Sequence, residues 1–232
     1  MRMEEREQAC LELIRHLPEG AYVLIGGYAA SSFDFPRFSV DLDLVISEQS
    51  EKEFKQALEG KGFMPLKPKA EAPKDIYGGW FIRFEKADVK ASVDLLVNSV
   101  ISRQTGSSYS FDYLRENSEI REVAGFSSSL KARARVADRE MLIALKANSM
   151  RLADMRDIVA LCNGEVDVEK VLEHLKRCPR RVLLKNIDGF MKTLGSREYQ
   201  DSLKGVFMIS DKVYERATER TRTMFGKIRE MG

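Results

Sequence analysis

Three cysteines, two histidines and one tryptophan are all that 232 residues offer of these side chains, and no uninterrupted apolar run approaches the roughly 20 residues that cross a bilayer. Cys10, Cys162 and Cys178 lie far apart and are odd in number, which excludes a disulfide framework; none forms a CxxC pair of the kind that holds zinc. They read as reduced thiols, in the core or on the surface. His16 and His174 sit in helical stretches without partners at metal-ligand spacing. The N-terminal MRMEEREQ is charged and no apolar core of signal-peptide type follows it, so a cytoplasmic protein with no membrane partner is expected. Net charge is scarce too. A balance of 38 Lys and Arg against 36 Asp and Glu, or +2, gives no reason by itself to expect a polyanionic partner. The halves differ slightly: residues 138–232 carry 19 basic against 15 acidic residues and residues 1–137 carry 19 against 21, a weak tilt toward an anionic ligand near the second half.

What is present begins with 44% apolar residues, ample for a packed core. Residues 3–16 repeat apolar side chains at helical spacing and stop at Pro18-Glu19-Gly20; AYVLI, residues 21–25, is then a short buried strand. Gly26-Gly27 follows, and YAASSF reads as the start of a short helix. After Pro36 the run FSVDLDLVI alternates, with Val40, Leu42, Leu44 and Ile46 on one face and Ser39, Asp41 and Asp43 on the other. The two carboxylates are therefore about 6.6 Å apart along the strand, at about 3.3 Å per residue. Buried carboxylates are costly unless something pairs with them. Either this pair faces water or it holds a cation.

Residues 50–62 read as a helix, with a short strand near 63–66 and a loop marked by Pro65, Pro68 and Pro73. WFIRFEK and VKASVDLLV, joined at Ala87-Asp88, form a β-hairpin in which Asp94 lies opposite the apolar face of Val89, Ala91, Val93, Leu95 and Val97. Trp80, Phe81 and Phe84 are expected in the core. Residues 102–112 read as a Ser/Gly/Tyr-rich loop holding Tyr109, with strands near 120–123 and 130–136. From Asp138 onward the pattern is helical: 137–150, 152–162, a segment after the N-cap Asp167, 180–194 and 210–230. Strands first and helices after argue an α+β architecture, a mixed β-sheet with flanking helices in residues 1–137 followed by a helical domain in 138–232.

Three carboxylates on polar faces of neighbouring strands can bind two magnesium ions about 3.5–4 Å apart, activate an attacking hydroxyl and steady a pyrophosphate leaving group. Glycines ahead of a helix let backbone N–H groups approach phosphate oxygens.

Gly26-Gly27, thirteen intervening residues and then Asp41-Leu42-Asp43 between apolar residues resembles the signature of the DNA polymerase β nucleotidyltransferase superfamily. The string Arg37-Phe38-Ser39-Val40-Asp41-Leu42-Asp43 is similar to the R-x-[ST]-x-D-[IL]-D form of its AbiEii-type and related minimal branches. Asp94 stands where the third carboxylate of that family falls, and LIALKANSMRLADMRDIVALC, with Lys146, Arg151, Arg156 and Asp157, resembles the family's helical segment. The resemblance spans about residues 20–165.

It implies a nucleotidyltransferase-type mixed sheet, a helical domain closing over the nucleotide and acceptor cleft, and magnesium-dependent transfer of a nucleoside monophosphate from a nucleoside triphosphate. Asp41, Asp43 and Asp94 are implied as metal ligands, with Asp94 also a general base. Nucleotide contacts are implied for Gly26 and Gly27, which cradle the triphosphate, for Arg37 and Ser39 of the string, for Lys146 toward a phosphate, and for Asp157, which orients the nucleotide or ties the domains together. Many members carry Gly-Ser where this chain has Gly26-Gly27, so phosphate binding leans more on backbone amides and Lys146. The acceptor class spans RNA 3′ ends, protein side chains and small molecules, and the AbiEii likeness implies a toxin of a toxin–antitoxin pair. Which base and which acceptor depend on pocket side chains that a linear sequence does not place, and the sequence leaves the oligomeric state open.

Two other function classes stand beside the enzyme. A degenerate member would bind nucleotide without turnover, although an intact set of three carboxylates argues against it. A nucleic-acid-binding module would use Arg177, Arg180, Arg181, Arg216, Arg220 and Arg222, but Glu173, Glu215 and Glu219 are interspersed among them as on a solvated helix face.

Overall fold

The computed structural model describes residues 3–67 and 75–231, so Pro68 and Pro73 lie outside the described residues. The chain is α+β and divides into two units: residues 1–32, 36–101 and 108–138 in the first, and 33–35, 102–107 and 139–232 in the second.

The first unit is built on a mixed sheet. Its strands are β1 (Tyr22–Ile25), β2 (Asp41–Ile46), β3 (Met64–Pro65), β4 (Trp80–Lys86), β5 (Ala91–Val97), β8 (Ser118–Ala124) and β9 (Lys131–Ala137), in the order β3-β4-β5-β2-β1-β9-β8. A separate two-stranded ribbon joins β6 (Ser99–Ile101) to β7 (Ser108–Ser110). Two neighbouring pairs, β2 with β5 and β1 with β9, are parallel; the others in the large sheet are antiparallel. The alternating pattern of β2 becomes a real division of faces. Leu42, Leu44, Val93 and Leu95 are fully buried, each worth about 1.5–3 kcal/mol against exposure. Helix α1 (Met3–His16) buries Leu11, Leu13 and Ile14 and packs on β5 and β9. Helix α2 (Gly26–Ser31) packs on β1, β2 and β8, and α3 (Glu51–Gly60) buries Phe54 and Leu58. Glu7, fully buried on α1, accepts hydrogen bonds from the backbone N–H groups of Phe126, Ser127 and Ser128 at 2.8, 2.7 and 3.0 Å, pinning the β8–β9 turn.

The second unit holds α5 (Arg139–Ser149), α6 (Leu152–Leu161), α7 (Val168–Leu175), α8 (Arg180–Leu194), α9 (Arg197–Phe207) and α10 (Asp211–Met231). Its core includes Phe190 against Phe225, edge to face with centroids 5.7 Å apart. Residues 102–107 belong to it because Asn148 Oδ1 accepts from both Thr105 Oγ1 and Ser107 Oγ at 2.8 Å. Residues 33–35 join through Arg139, which lies over the Phe33 ring and donates to Asp34 Oδ2 at 2.6 Å.

Several local readings change. Residues 102–112 are not one loop: they contain β7, and α4 (Phe111–Glu116) follows at once, with Ser110 Oγ capping it by accepting from Tyr113 N–H. Tyr109 is buried in β7 and its ring stacks on Tyr113 at 6.1 Å. Helix α9 was not expected, although Tyr199, Leu203 and Phe207 recur every four residues; Ser196 caps it and those three side chains form its buried face. Pro65 lies in the edge strand β3, where a missing N–H is tolerated, not in a loop. Of the expected aromatic core, Phe84 is fully buried, while Trp80 and Phe81 are only half-buried. All three cysteines are buried and free, and burial pushes the Cys10 and Cys162 thiols up to about 12 each. No described helix is long and apolar enough to cross a membrane.

Candidate active site on the polar face of the sheet

The polar face of the first unit collects the charges. Asp41 opens β2 and Asp43 follows two residues on, so both point the same way. In the parallel ladder of β2 with β5, Asp41 stands opposite Ser92 and Asp43 opposite Asp94. The carboxylates of Asp43 and Asp94 thus rise from adjacent strands about 4.8 Å apart. Like charges so placed repel each other and need compensation.

Compensation comes from β4. Arg83 pairs with Asp94 in the antiparallel β4–β5 ladder, and its guanidinium spans two strands. Nη1 donates to Asp94 Oδ1 and Oδ2 at 3.1 and 3.3 Å; Nη2 donates to Asp41 Oδ1 at 2.9 Å and to Ser92 Oγ at 2.9 Å. Ser92 Oγ in turn donates to Asp41 Oδ1. The side chains of Arg83, Asp41 and Asp94 are 40%, 45% and 21% exposed, so the cluster is open to solvent on one side.

Both glycines are used by their own chain. Gly26 has φ +74°, and a Cβ there would lie 1.8 Å from Asp43 Oδ2. The left-handed backbone and the close carboxylate together require glycine. A Cβ on Gly27 would lie 2.4 Å from Ser39 Oγ and 3.1 Å from Arg37 Nη2. The approach these glycines permit in this structure is therefore that of Asp43, Ser39 and Arg37. Ser39 Oγ donates to the Asp41 carbonyl at 3.3 Å; Arg37 Nη1 donates to the Phe38 carbonyl at 3.0 Å, and Arg37 N–H donates to Ser31 Oγ at 3.2 Å. Gly26, Gly27, Arg37, Ser39, Asp41, Asp43 and Asp94 thus form one neighbourhood.

Lys146 and Asp157 form another, in the second unit. Lys146 Nζ is 2.6 Å from Asp157 Oδ2 and 3.5 Å from Asp154 Oδ1, with side-chain exposures of 7%, 1% and 4% for the three. Burial pushes the Asp154 carboxyl up, but the Arg151 hydrogen bond and the Lys146 ammonium outweigh it and hold the group below the ordinary carboxylate range. In this arrangement the Lys146 charge serves the α5–α6 packing, because both carboxylates beside it are themselves buried.

The C-terminal arginines are also engaged. Arg216 donates to Asn163 Oδ1 at 2.6 Å, Arg220 to the carbonyls of Asn163 and Gly164, and Arg180 to the Arg229 carbonyl at 3.0 Å. Those three hold loop and helix ends.

Arg83 and Ser92 are the site residues that the sequence reading missed. A signal existed: counting residues back across the hairpin from Asp94 arrives at Arg83. The donor chemistry of three carboxylates suits a hard divalent cation, which prefers oxygen ligands. Among the described residues, however, no group of three His, Cys, Asp or Glu side chains stands ready-made as a metal centre. The positive charge beside Asp41 and Asp94 is that of Arg83.

No protein-family model and no curated protein matches the chain. Among solved structures, it is similar to a protein of Helicobacter pylori described as a candidate nucleotidyltransferase, with 17% identity, a TM-score of 0.49, and 99% of this chain and 96% of that one covered. JHP933 from Helicobacter pylori is similar at 16% identity and a TM-score of 0.49, covering 99% and 94%. A STING-associated CdnE c-di-GMP synthase from Capnocytophaga granulosa follows at 12% identity and a TM-score of 0.29, covering 99% and 81%. At TM-scores under 0.5 these likenesses do not reach individual residues or roles.

Proposed function

We propose that the chain is a magnesium-dependent nucleotidyltransferase that moves a nucleoside monophosphate from a nucleoside triphosphate to a hydroxyl or phosphate acceptor. The observation that carries the reading is the placement of Asp41, Asp43 and Asp94 on one face of neighbouring strands, with Asp43 seated against Gly26 at the end of β1. Bound divalent cations, held by these three carboxylates, would supply the positive charge that a triphosphate and a departing pyrophosphate require. The acceptor oxygen bonds to the α-phosphorus while the bond from that phosphorus to the bridging oxygen breaks, and the pyrophosphate leaves with the electron pair. Where the acceptor is a hydroxyl, Asp94 takes its proton, a role its partly exposed carboxylate allows. Gly27, Arg37 and Ser39 would line the triphosphate side. The base, the acceptor (RNA among the classes) and a toxin role belong to this proposal as well; growth arrest by the wild-type chain and not by Asp43→Ala is the outcome a toxin predicts.

A thermal-shift titration with each of the four triphosphates, with and without magnesium, tests the reading on wild type and Asp41→Asn. Binding to the folded state raises the melting temperature by mass action. A magnesium-dependent rise with one triphosphate, lost in Asp41→Asn, is expected; no rise with any of them overturns the reading. A second reading, a nucleotide-binding member without turnover, is favoured by Arg83, which already neutralises part of the carboxylate charge. Binding without release of pyrophosphate under any acceptor would select it.

A further inference from the structure

We propose that Arg83 is a built-in counter-ion that must leave the carboxylate face before a divalent cation can engage it, so that arginine and metal exchange at one place. The proposal rests on the metal-dependent reading above and adds a positioning residue that neither the motif nor the comparisons supply. Three observations support it.

The first is competition for the same oxygen. Asp41 Oδ1 accepts from Arg83 Nη2 and also from Ser92 Oγ, which leaves it little capacity for a third partner. Asp94 is engaged through both of its oxygens by Arg83 Nη1. A cation that draws on Asp41 and Asp94 therefore comes to the same two carboxylates as the guanidinium, whose positive charge repels it.

The second is the freedom to leave. Pairing with Asp94 in the ladder fixes the backbone of residue 83, so it cannot carry the charge away. The side chain is different: at 40% exposure it can rotate into water, where solvent screens its separation from the carboxylates. The third is electrostatic need. Asp43 and Asp94 stand directly opposite each other, with Asp41 two residues away, and three carboxylates on adjacent strands repel one another and favour any nearby cation. Arg83 meets that need in the metal-free chain and becomes redundant, then obstructive, once a divalent ion arrives.

Manganese binding, followed by the electron paramagnetic resonance signal of the free ion, tests this without any assay of transfer. Full-length wild type, Arg83→Gln, Arg83→Lys and Lys86→Gln are compared. Lys86 sits on the same strand but directs its ammonium to the Lys61 carbonyl at 3.1 Å, so Lys86→Gln removes an equal charge with no contact to the carboxylates. Arg83→Gln is expected to bind manganese about tenfold more tightly, because two partly exposed charge pairs no longer compete. Arg83→Lys should fall between, since a lysine is a point charge that cannot fork across two carboxylates; Lys86→Gln should match wild type. Equal affinity in wild type and Arg83→Gln overturns the proposal, as does an equal gain in Lys86→Gln, which would mark a general charge effect. If circular dichroism shows that Arg83→Gln is unfolded, Arg83→Lys decides alone: a gain supports the exchange and no gain overturns it. Absence of manganese binding in every variant also overturns it, and the triphosphate titration above then says separately whether the nucleotidyltransferase reading falls too.

Discussion

Arg83 on the sheet and Lys146 in the helical unit each serve two aspartates, yet the side chain of the first is 40% exposed and that of the second 7%. Depth decides what each cluster can do. A buried ion pair that loses one partner strands the other charge in a low dielectric, so its members are effectively permanent. A pair open to water loses little when it separates, since solvent screens the partners and solvates them apart. The sheet cluster can therefore trade its cation, while the helical cluster is held as structure. Acidic residues beside a basic one look alike in sequence in both places.

The comparison can be broken most sharply by removing a carboxylate from each. Asp43→Asn is expected to lower nucleotidyl transfer by about a thousandfold or more, since fixed charge at a reacting phosphate is commonly the largest catalytic contribution, with stability within about 1 kcal/mol of wild type. Lys146→Met should do the reverse in kind, costing about 3–5 kcal/mol in urea denaturation because the buried Asp157 carboxylate loses the ammonium 2.6 Å away, while Asp154 keeps its Arg151 contact. If Lys146→Met proves as stable as wild type, Lys146 is not held in the buried cluster and its place nearer a ligand regains support.

A smaller effect separates local geometry from charge. Gly26→Ala should lose about 1–3 kcal/mol through its left-handed backbone and displace the Asp43 carboxylate, so activity falls with it. The smallest effect is in pH. Asp154 is held below the ordinary 3.8 in the folded chain, so its contribution is complete above that value and disappears as pH falls through the lower folded value. The stability gap between wild type and Asp154→Asn should accordingly shrink below about pH 4; a gap that stays constant to pH 2 would show that the ion pair is not its source.

Much of the site was legible because strands have a period of two. Alternation alone put Asp41, Asp43 and Asp94 on polar faces, and the burial of Leu42, Leu44, Val93 and Leu95 confirms the division. Arg83 was hidden in WFIRFEK, where one arginine among aromatics reads as an ordinary outward residue until the hairpin register is counted. Lys146 was equally unreadable. Its place on a helix was clear, but its burial follows from how α6 packs on α5 and brings Asp154 and Asp157 to it. Helix α9 was legible in principle, since Tyr199, Leu203 and Phe207 recur every four residues and form its buried face, but the short segment between two longer helices was missed.

Local periodicity and composition were enough for the α+β class, most of the strands and helices along the chain, the faces on which the carboxylates lie and the absence of any membrane-length apolar run. Only the tertiary structure decided which charges meet. Pairing β2 with β5 across some fifty residues, and folding β4 back on β5, set Asp43 beside Asp94 and Arg83 over both strands. Contacts of that range are chosen by whole-sheet packing, since a strand shifted by a single residue would turn every one of these side chains to the opposite face.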